Sequence, residues 1–576
     1  MAIKSVGINT KLTYLMCTLA LALTASSIRL FYLQCILNHV FAVKSQKNFL
    51  RYEPIPCLRG NIVDRNGLLL ATNRPTTNIY WQGIGNNQLL SEQITLIQSL
   101  ELILAKPLAS QPDLLASISR AERYHKKILL AEDISLEQLS QIAEQFTQEK
   151  NIVIDTHFKR CYPHNTFACH LLGYLGRMNL EILGKMGLEK MFEETLKGTK
   201  GEKIKTINSL GRNLTETEIR HSAAGQDIQT TLDINLQQIA ESIFPAEYTG
   251  TFILMDPEDG SILTLVSRPN FDPTIFLDPM TEQEWKALEE KKPFLNRAFN
   301  ASYPPGSIFK LVTASAALET NLIDVDTSWY CCGYVEFAHR KYWCANRHGH
   351  GYLSTTKAIQ KSCNTAFFDI GKKISIDVLA DYAHRFGLGE KTNILFTEKE
   401  GLVPSNSWKK RVKGENWWPG ETLSAAIGQS YLLATPIQIA RMISAIFTGQ
   451  LTNPRLLMTE PIVKKTLTIK AETIEILQSS MGKVTDQGGT AQSVKRIKDM
   501  KIYAKTSTAQ TANLDKRELG GAYLEHAWFA GYFQYKEHKP LTIVILVENI
   551  GSSRIATDVA KNFFIAYKKN IDETPA

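Results

Sequence analysis

Ser307 and Lys310 stand three residues apart in YPPGSIFKL, a spacing that sets a hydroxyl and an amine on one face of a helix's first turn. An amine so placed can take the hydroxyl proton, which is how a weak nucleophile is activated for acyl transfer. Pro305-Gly306 ends whatever precedes the pair, and IFKLVTASAALE reads as a buried helix. The serine is therefore expected at a helix N-terminus, where the dipole favours developing negative charge. An N-cap serine followed by a solvated lysine has the same spacing, so the pair alone does not decide. Two further stretches follow in the chain, Ser362-Cys363-Asn364 in KSCNTAFFDIG and Lys505-Thr506-Ser507-Thr508 in IYAKTSTAQ.

The elements that must position these residues are legible in outline. A chain of 576 residues is too long for one core, so two or three domains are expected. With 44% hydrophobic and 21% charged residues it is ordinary globular material with one apolar end. That end, LTYLMCTLALALTASSI at residues 12–28, is uncharged and about long enough to span a bilayer. Ala25-Ser26-Ser27 offers the small residues of a cleaved signal, but the apolar run is long for one, so an uncleaved anchor is expected. The net charge of +8 is spread out, and no cluster of Lys and Arg points to nucleic acid.

Residues 38 to about 225 alternate β-like runs (NIVIDTHF, KIKTINSL) with helical ones (LLSEQITLIQSLELILAK, LEQLSQIAEQFTQ), and the irregular LTETEIRHSAAGQD marks a boundary. Beyond Gln229 an α+β pattern begins. TFILMDPEDGSILTLVS reads as a hairpin turning at Asp256–Gly260; helices follow, then the strands MKIYAKTSTA, HAWFAGYF and LTIVILVENI, then the amphipathic helix ATDVAKNFFIAYKKN. Alternation with Tyr, Val and Ile supports the strands.

The order Ser-x-x-Lys, Ser-x-Asn, Lys-Thr resembles that of penicillin-binding proteins and serine β-lactamases. The likeness to class B penicillin-binding proteins extends over nearly the whole chain. It is carried by LRGNIVDRNGLLLATN (58–73), RCYPHNTFACHLLGYLG (160–176), GLEKMFEETLKGTKGEK (187–203), INSLGR (207–212), TTLDINLQ (230–237), AIGQSYLLATPIQIARM (426–442) and HAWFAGY (526–532). The resemblance implies a membrane helix with a cytoplasmic tail (1–37), an elongated pedestal (38–225) and a β-lactamase-like transpeptidase domain, an antiparallel sheet flanked by helices (226–576). In it Ser307 would attack a carbonyl, Lys310 would take its proton, and Ser362 would relay a proton to the leaving amine. Asn364 would hold Lys310 and a substrate amide, Lys505 and Thr506 the substrate carboxylate. The N–H groups of Ser307 and Thr508 would form the oxyanion hole.

Three positions depart from the family pattern. Ser507 stands where glycine usually ends the Lys-Thr-Gly motif, Ser430 follows Gln429 where glycine is common, and His164-Asn165 replaces a glycine-bearing turn. Asn reaches left-handed backbone readily, so the last change is expected to be harmless.

Of nine cysteines, Cys331, Cys332, Cys344 and Cys363 crowd into 33 residues with His339, His348 and His350. A Cys3His zinc site, a disulfide, or buried thiols all fit this composition, although adjacent Cys331 and Cys332 pair only with strain. The likeness to elongation-type members, those resembling penicillin-binding protein 2, implies one structural zinc on Cys331, Cys344, His350 and Cys363. His339 and His348 are expected at the surface. Trp417-Trp418 is expected to pack rather than line a cleft, and Asp64 with Arg65 to form a turn and a salt bridge.

The function implied is a single-pass inner-membrane peptidoglycan D,D-transpeptidase of cell-wall elongation and cell shape, with its catalytic domain in the periplasm. It would act on stem peptides, be acylated by β-lactams, and work with a SEDS-family glycan polymerase and other elongation-complex membrane proteins. The alternatives are a division-type class B enzyme, a β-lactamase or carboxypeptidase of the same fold, and a β-lactam sensor or catalytically weak scaffold.

Overall fold

The computed structural model describes residues 6–178, 181–207, 213–278, 280–290, 292–394, 397–495, 497–510 and 519–573; most of INSLGR (208–212) lies outside them. The chain forms two compact units. One comprises Met1–Leu58, Arg74–Lys159 and Gly198–Gly225, the other Arg59–Asn73, Arg160–Lys197 and Gln226–Ala576.

The first unit begins with the helix Val6–Phe31, which passes through a π-helical turn at Tyr32–Ile36 into a second helix, Asn38–Phe49. Leu12–Ile36 is long and apolar enough to cross a membrane, with a mean hydropathy of 1.5. Further along, the helices Ser91–Leu104 and Leu136–Gln145 fall on the runs read as helical. Their apolar faces enclose Trp81, Ile97, Leu100 and Ile142. The Ile79–Gln82 end of the strand Leu69–Gln82 pairs there with Lys127–Ala131, and a separate three-stranded antiparallel sheet joins Leu50–Ile55, Gly201–Ile207 and Asn213–Arg220.

The second unit is built on a five-stranded antiparallel sheet in the order Ile262–Arg268, Gly250–Met255, Leu541–Val547, His526–Tyr535, Met500–Ala509. The N-terminal hairpin thus pairs with the C-terminal strand, and the strand carrying Lys505 lies at the edge. Alternation in these strands separates two faces, both dry, rather than a wet face from a dry one. Phe252, Ile543, Ile545, Phe529 and Phe533 pack with Phe563 and Phe564 of the helix Ser553–Glu573. Val544, Leu546 and Trp528 belong to the opposite core, with Ile443 of the helix Pro436–Thr448 and Val312 of the helix Lys310–Glu319.

Two stretches of the expected pedestal group with this second unit. Arg59 bonds Glu189 at 2.7 Å and Glu193 at 2.6 Å, and Arg160 bonds Glu189 at 2.7 Å. Glu189 is fully buried, so both arginines are needed to hold its charge there. Asp64 is also buried and accepts from the N–H groups of Asn66, Leu68 and Ile234, so it anchors the turn as expected, with backbone N–H groups rather than Arg65 meeting its carboxylate.

Candidate active site

The helix after Ser307 is present, but its α-helical part starts only at Lys310 and runs to Glu319. Ser307 itself lies in a short 3-10 turn, Gly306–Ile308, that leads into it. Gly306 adopts φ +53°, and the N–H of Gly306 donates to Gly428 O at 2.9 Å. A Cβ on Gly428 would lie 2.1 Å from Gly306 O, so Gly428 must stay bare for this turn to form.

Lys310 is wholly buried and its Nζ donates to Asn364 Oδ1 at 2.7 Å, Ser362 O at 2.8 Å and Ser362 Oγ at 3.3 Å. Burial pushes its pKa down to about 8. Lys505, equally buried, donates to Ser362 Oγ at 2.9 Å and to Thr506 O at 3.0 Å. Burial first, and the charge of Lys310 second, hold Lys505 well below the usual lysine range. One hydroxyl therefore lies between two amines that resist being protonated together. Ser362 holds this place with φ +51°, a left-handed conformation that costs a non-glycine residue on the order of 1–3 kcal/mol.

The remaining predicted residues surround this core of contacts. Asn364 opens the helix Asn364–Lys373, and its Nδ2 donates to Trp343 O at 3.2 Å. Thr506 Oγ1 donates to Thr490 Oγ1 at 2.6 Å, and Thr508 Oγ1 accepts from Ser553 N at 3.2 Å. Ser307, Ser362, Asn364, Thr506 and Thr508 all line one cleft of about 600 Å³. Its rim adds Lys341, Arg347 and Lys361.

Thr490 was not singled out from the sequence. Its signal was the pair Gly488-Gly489 before it, since a Cβ on Gly489 would lie 2.1 Å from Val484 O. Trp417 and Trp418 are not part of the cleft lining; Trp417 packs against the core and donates to Thr422 Oγ1 at 2.8 Å.

The departures from the family pattern separate by backbone. Asn165 has φ +51° and Ser430 φ +68°, conformations that glycine would adopt without strain. Ser507 is ordinary strand, so no backbone need for glycine exists there.

Next to Ser362 lies the cysteine cluster. Cys331 and Gly351 face each other where the short strands Ser328–Cys331 and Gly351–Ser354 pair, while Cys344 follows the hairpin Tyr334–Phe337 and Arg340–Trp343. These small strands were not foreseen from the sequence. His350 Nδ1 lies 3.5 Å from both Cys331 Sγ and Cys344 Sγ, and Cys344 Sγ lies 3.9 Å from Cys363 Sγ. All nine cysteines are free thiols, and the four donor atoms lie within 4.8 Å of one another. A zinc about 2.3 Å from each sulfur sets tetrahedral donors about 3.7 Å apart, so this donor set fits the ion. The close approach of the two sulfurs lowers the pKa of Cys344 and raises that of Cys363, so the pair does not ionise as two independent thiols. Cys332, His339 and His348 are exposed and stay outside the cluster.

The family model described as Penicillin binding protein transpeptidase domain matches residues 250–564, and that for the Penicillin-binding Protein dimerisation domain matches residues 54–230. The chain belongs to the penicillin-binding protein transpeptidase family. Among its relatives, the peptidoglycan D,D-transpeptidase MrdA of Acinetobacter baumannii is 29% identical, over 94% of this chain and 85% of its own. The structure of Helicobacter pylori PBP2 in complex with MreC superposes with a TM-score of 0.77 at 28% identity, covering 91% of this chain and 99% of that one. A chain from a peptidoglycan synthase complex, solved to explain how polymerization and crosslinking are coordinated, superposes with a TM-score of 0.75 at 30% identity, covering 97% and 98%.

Proposed function

We infer that the chain is a penicillin-sensitive serine D,D-transpeptidase of the elongation type, nearest the PBP2 branch. What carries the reading is the Ser362 hydroxyl held between the buried amines of Lys310 and Lys505, in the cleft onto which Ser307 opens. Neutral Lys310 takes the Ser307 proton as Oγ attacks the penultimate D-Ala carbonyl of a stem peptide. The proton passes through Ser362 to the departing D-Ala amine, and an amine of a neighbouring stem then takes the acyl group from Ser307. Asn364 keeps Lys310 aimed at this relay. Lys505, Thr506 and Thr490 receive the terminal carboxylate, and β-lactams acylate Ser307 as mimics of the same substrate.

Cys331, Cys344, His350 and Cys363 would hold one structural zinc, a reading supported by their donor spacing. The ion, when bound, would cross-link the three sulfurs and the imidazole and supply no redox chemistry. Cys363 lies between Ser362 and Asn364, so fixing its sulfur fixes both neighbours.

The apolar helix near the N-terminus supports a single-pass anchor in the inner membrane with the catalytic unit in the periplasm. The relatives seen with MreC and within a peptidoglycan synthase complex support a place beside a glycan polymerase of the SEDS family and other elongation-complex proteins.

The test is intact-protein mass spectrometry of the full chain in detergent, with and without a penicillin. A lasting adduct on the wild type and none on Ser307→Ala is expected. An adduct on both proteins, or rapid drug hydrolysis with no lasting adduct, would sink the transpeptidase reading.

A further inference from the structure

The Ser307 N–H, one of the two donors that the family resemblance places in the oxyanion hole, is already engaged. It donates to Ser507 Oγ at 2.8 Å. Ser507 lines the cleft beside Ser307 but is only 2% exposed, its hydroxyl directed onto the turn that carries the nucleophile. Gly306 makes the room: a Cβ there would lie 2.3 Å from Ser507 Oγ. Trp528, opposite Ser507 in the register, ties the same loop by donating from Nε1 to Pro304 O at 3.1 Å. Two neighbouring strands thus bond the loop that carries the nucleophile, one through Ser507 and one through Trp528.

We propose that Ser507 is a positioning residue whose hydroxyl occupies the Ser307 oxyanion-hole donor in the resting enzyme and must be displaced before acylation. The inference rests on the transpeptidase reading above. An N–H has one hydrogen, and sharing it between two acceptors weakens both bonds. A planar substrate carbonyl gains little by competing with a hydroxyl. The tetrahedral oxyanion, being charged, binds the N–H more strongly and takes it over, leaving the buried Ser507 oxygen to find another donor. The hydroxyl thus penalises the transition state for acylation more than substrate binding. A glycine at this position leaves the donor free, and backbone geometry here does not demand glycine, so the hydroxyl rather than the strand carries the difference.

The experiment compares the full chain with Ser507→Ala and Ser507→Gly in stopped-flow acylation by a chromogenic β-lactam, resolving the first-order acylation constant from the saturation constant. Affinity for a boronic acid, which forms a tetrahedral adduct on the serine, is measured beside it. Removing the hydroxyl is expected to raise the acylation constant about three- to tenfold in both variants, with the saturation constant unchanged and boronate affinity raised in step. If Ala matches the wild type while Gly alone is faster, the effect is one of bulk or strand flexibility and the proposal fails. If Ala is slower, the hydroxyl assists the oxyanion instead of competing for its donor, and the proposal fails in the opposite direction. A change confined to the saturation constant also overturns it. Absence of acylation in all three proteins overturns the nucleophile assignment itself, which separates that failure from this one.

Discussion

The tripeptide Ser362-Cys363-Asn364 faces two clusters of different construction. On one side Ser362 and Asn364 meet Lys310 and Lys505, side chains anchored in a buried helix and in the edge strand of the main sheet. On the other, Cys363 meets Cys331, Cys344 and His350, carried by turns and strands of four residues each. The first cluster is held by the hydrophobic core behind it, whose Val312, Trp528 and Leu546 are fully buried. The second sits at the margin of that same core, with Cys331, Cys344, Cys363 and Leu353 buried in it and Tyr330, Tyr352 and Trp343 exposed on its outer side. The first site is fixed by long elements, whereas the short strands and turns of the second would be tied by the proposed zinc.

The largest effect is expected on the core-backed side. Lys310→Met should lower the rate of penicillin acylation about a thousandfold while the protein still melts cooperatively, because only the base is lost. Retention of acylation within tenfold of wild type would break the assignment of the base.

The self-tied side should respond differently. If the proposed zinc is bound, native mass spectrometry should find one ion on the wild type and none on Cys344→Ala, which should also melt at a lower temperature and acylate about tenfold more slowly, with labelling of Ser307 still going to completion. Cys332→Ala, one residue from the cluster but exposed, should change none of these. Equal behaviour of the two variants would remove the contrast between the regions.

A pH series sharpens the comparison further. Burial disfavours the ammonium of Lys310 and brings its pKa down to about 8. The neutral amine is the active form, so the acylation rate should climb with pH, about tenfold per unit at first, and level off above 8. A rate flat from pH 6 to 9 would place the base elsewhere.

The smallest effect concerns backbone. Ser430→Gly, at φ +68°, should stabilise the protein by about 1 kcal/mol in denaturant melts by relieving left-handed strain, with acylation unaltered. Ser507→Gly offers no such relief, because Ser507 already has ordinary strand geometry. The two serines standing in for glycine should therefore separate into one that alters stability and one that alters rate.

Much was legible in the sequence because it is local. Three short motifs, in the order that the penicillin-binding proteins share, pointed to Ser307, Lys310, Ser362, Asn364 and Lys505 as a set, and apolar runs marked the strands Met500–Ala509, His526–Tyr535 and Leu541–Val547 and the closing helix. The tolerance of Asn165 for left-handed backbone was equally local. Other features depend on segments far apart in the chain, and one-dimensional spacing does not encode them. Thr490 reaches Thr506 only because the sheet edge passes over its loop. The arginines at 59 and 160 meet Glu189 only because two early segments fold in with the C-terminal unit. The Ser507 hydroxyl finds the Ser307 N–H across 200 residues, where Gly306 leaves room for it. Which residues could do the chemistry was a matter of sequence. Which hydrogen each of them holds at rest was decided by packing, since a hydrogen bond depends on distances and directions that only the folded chain sets.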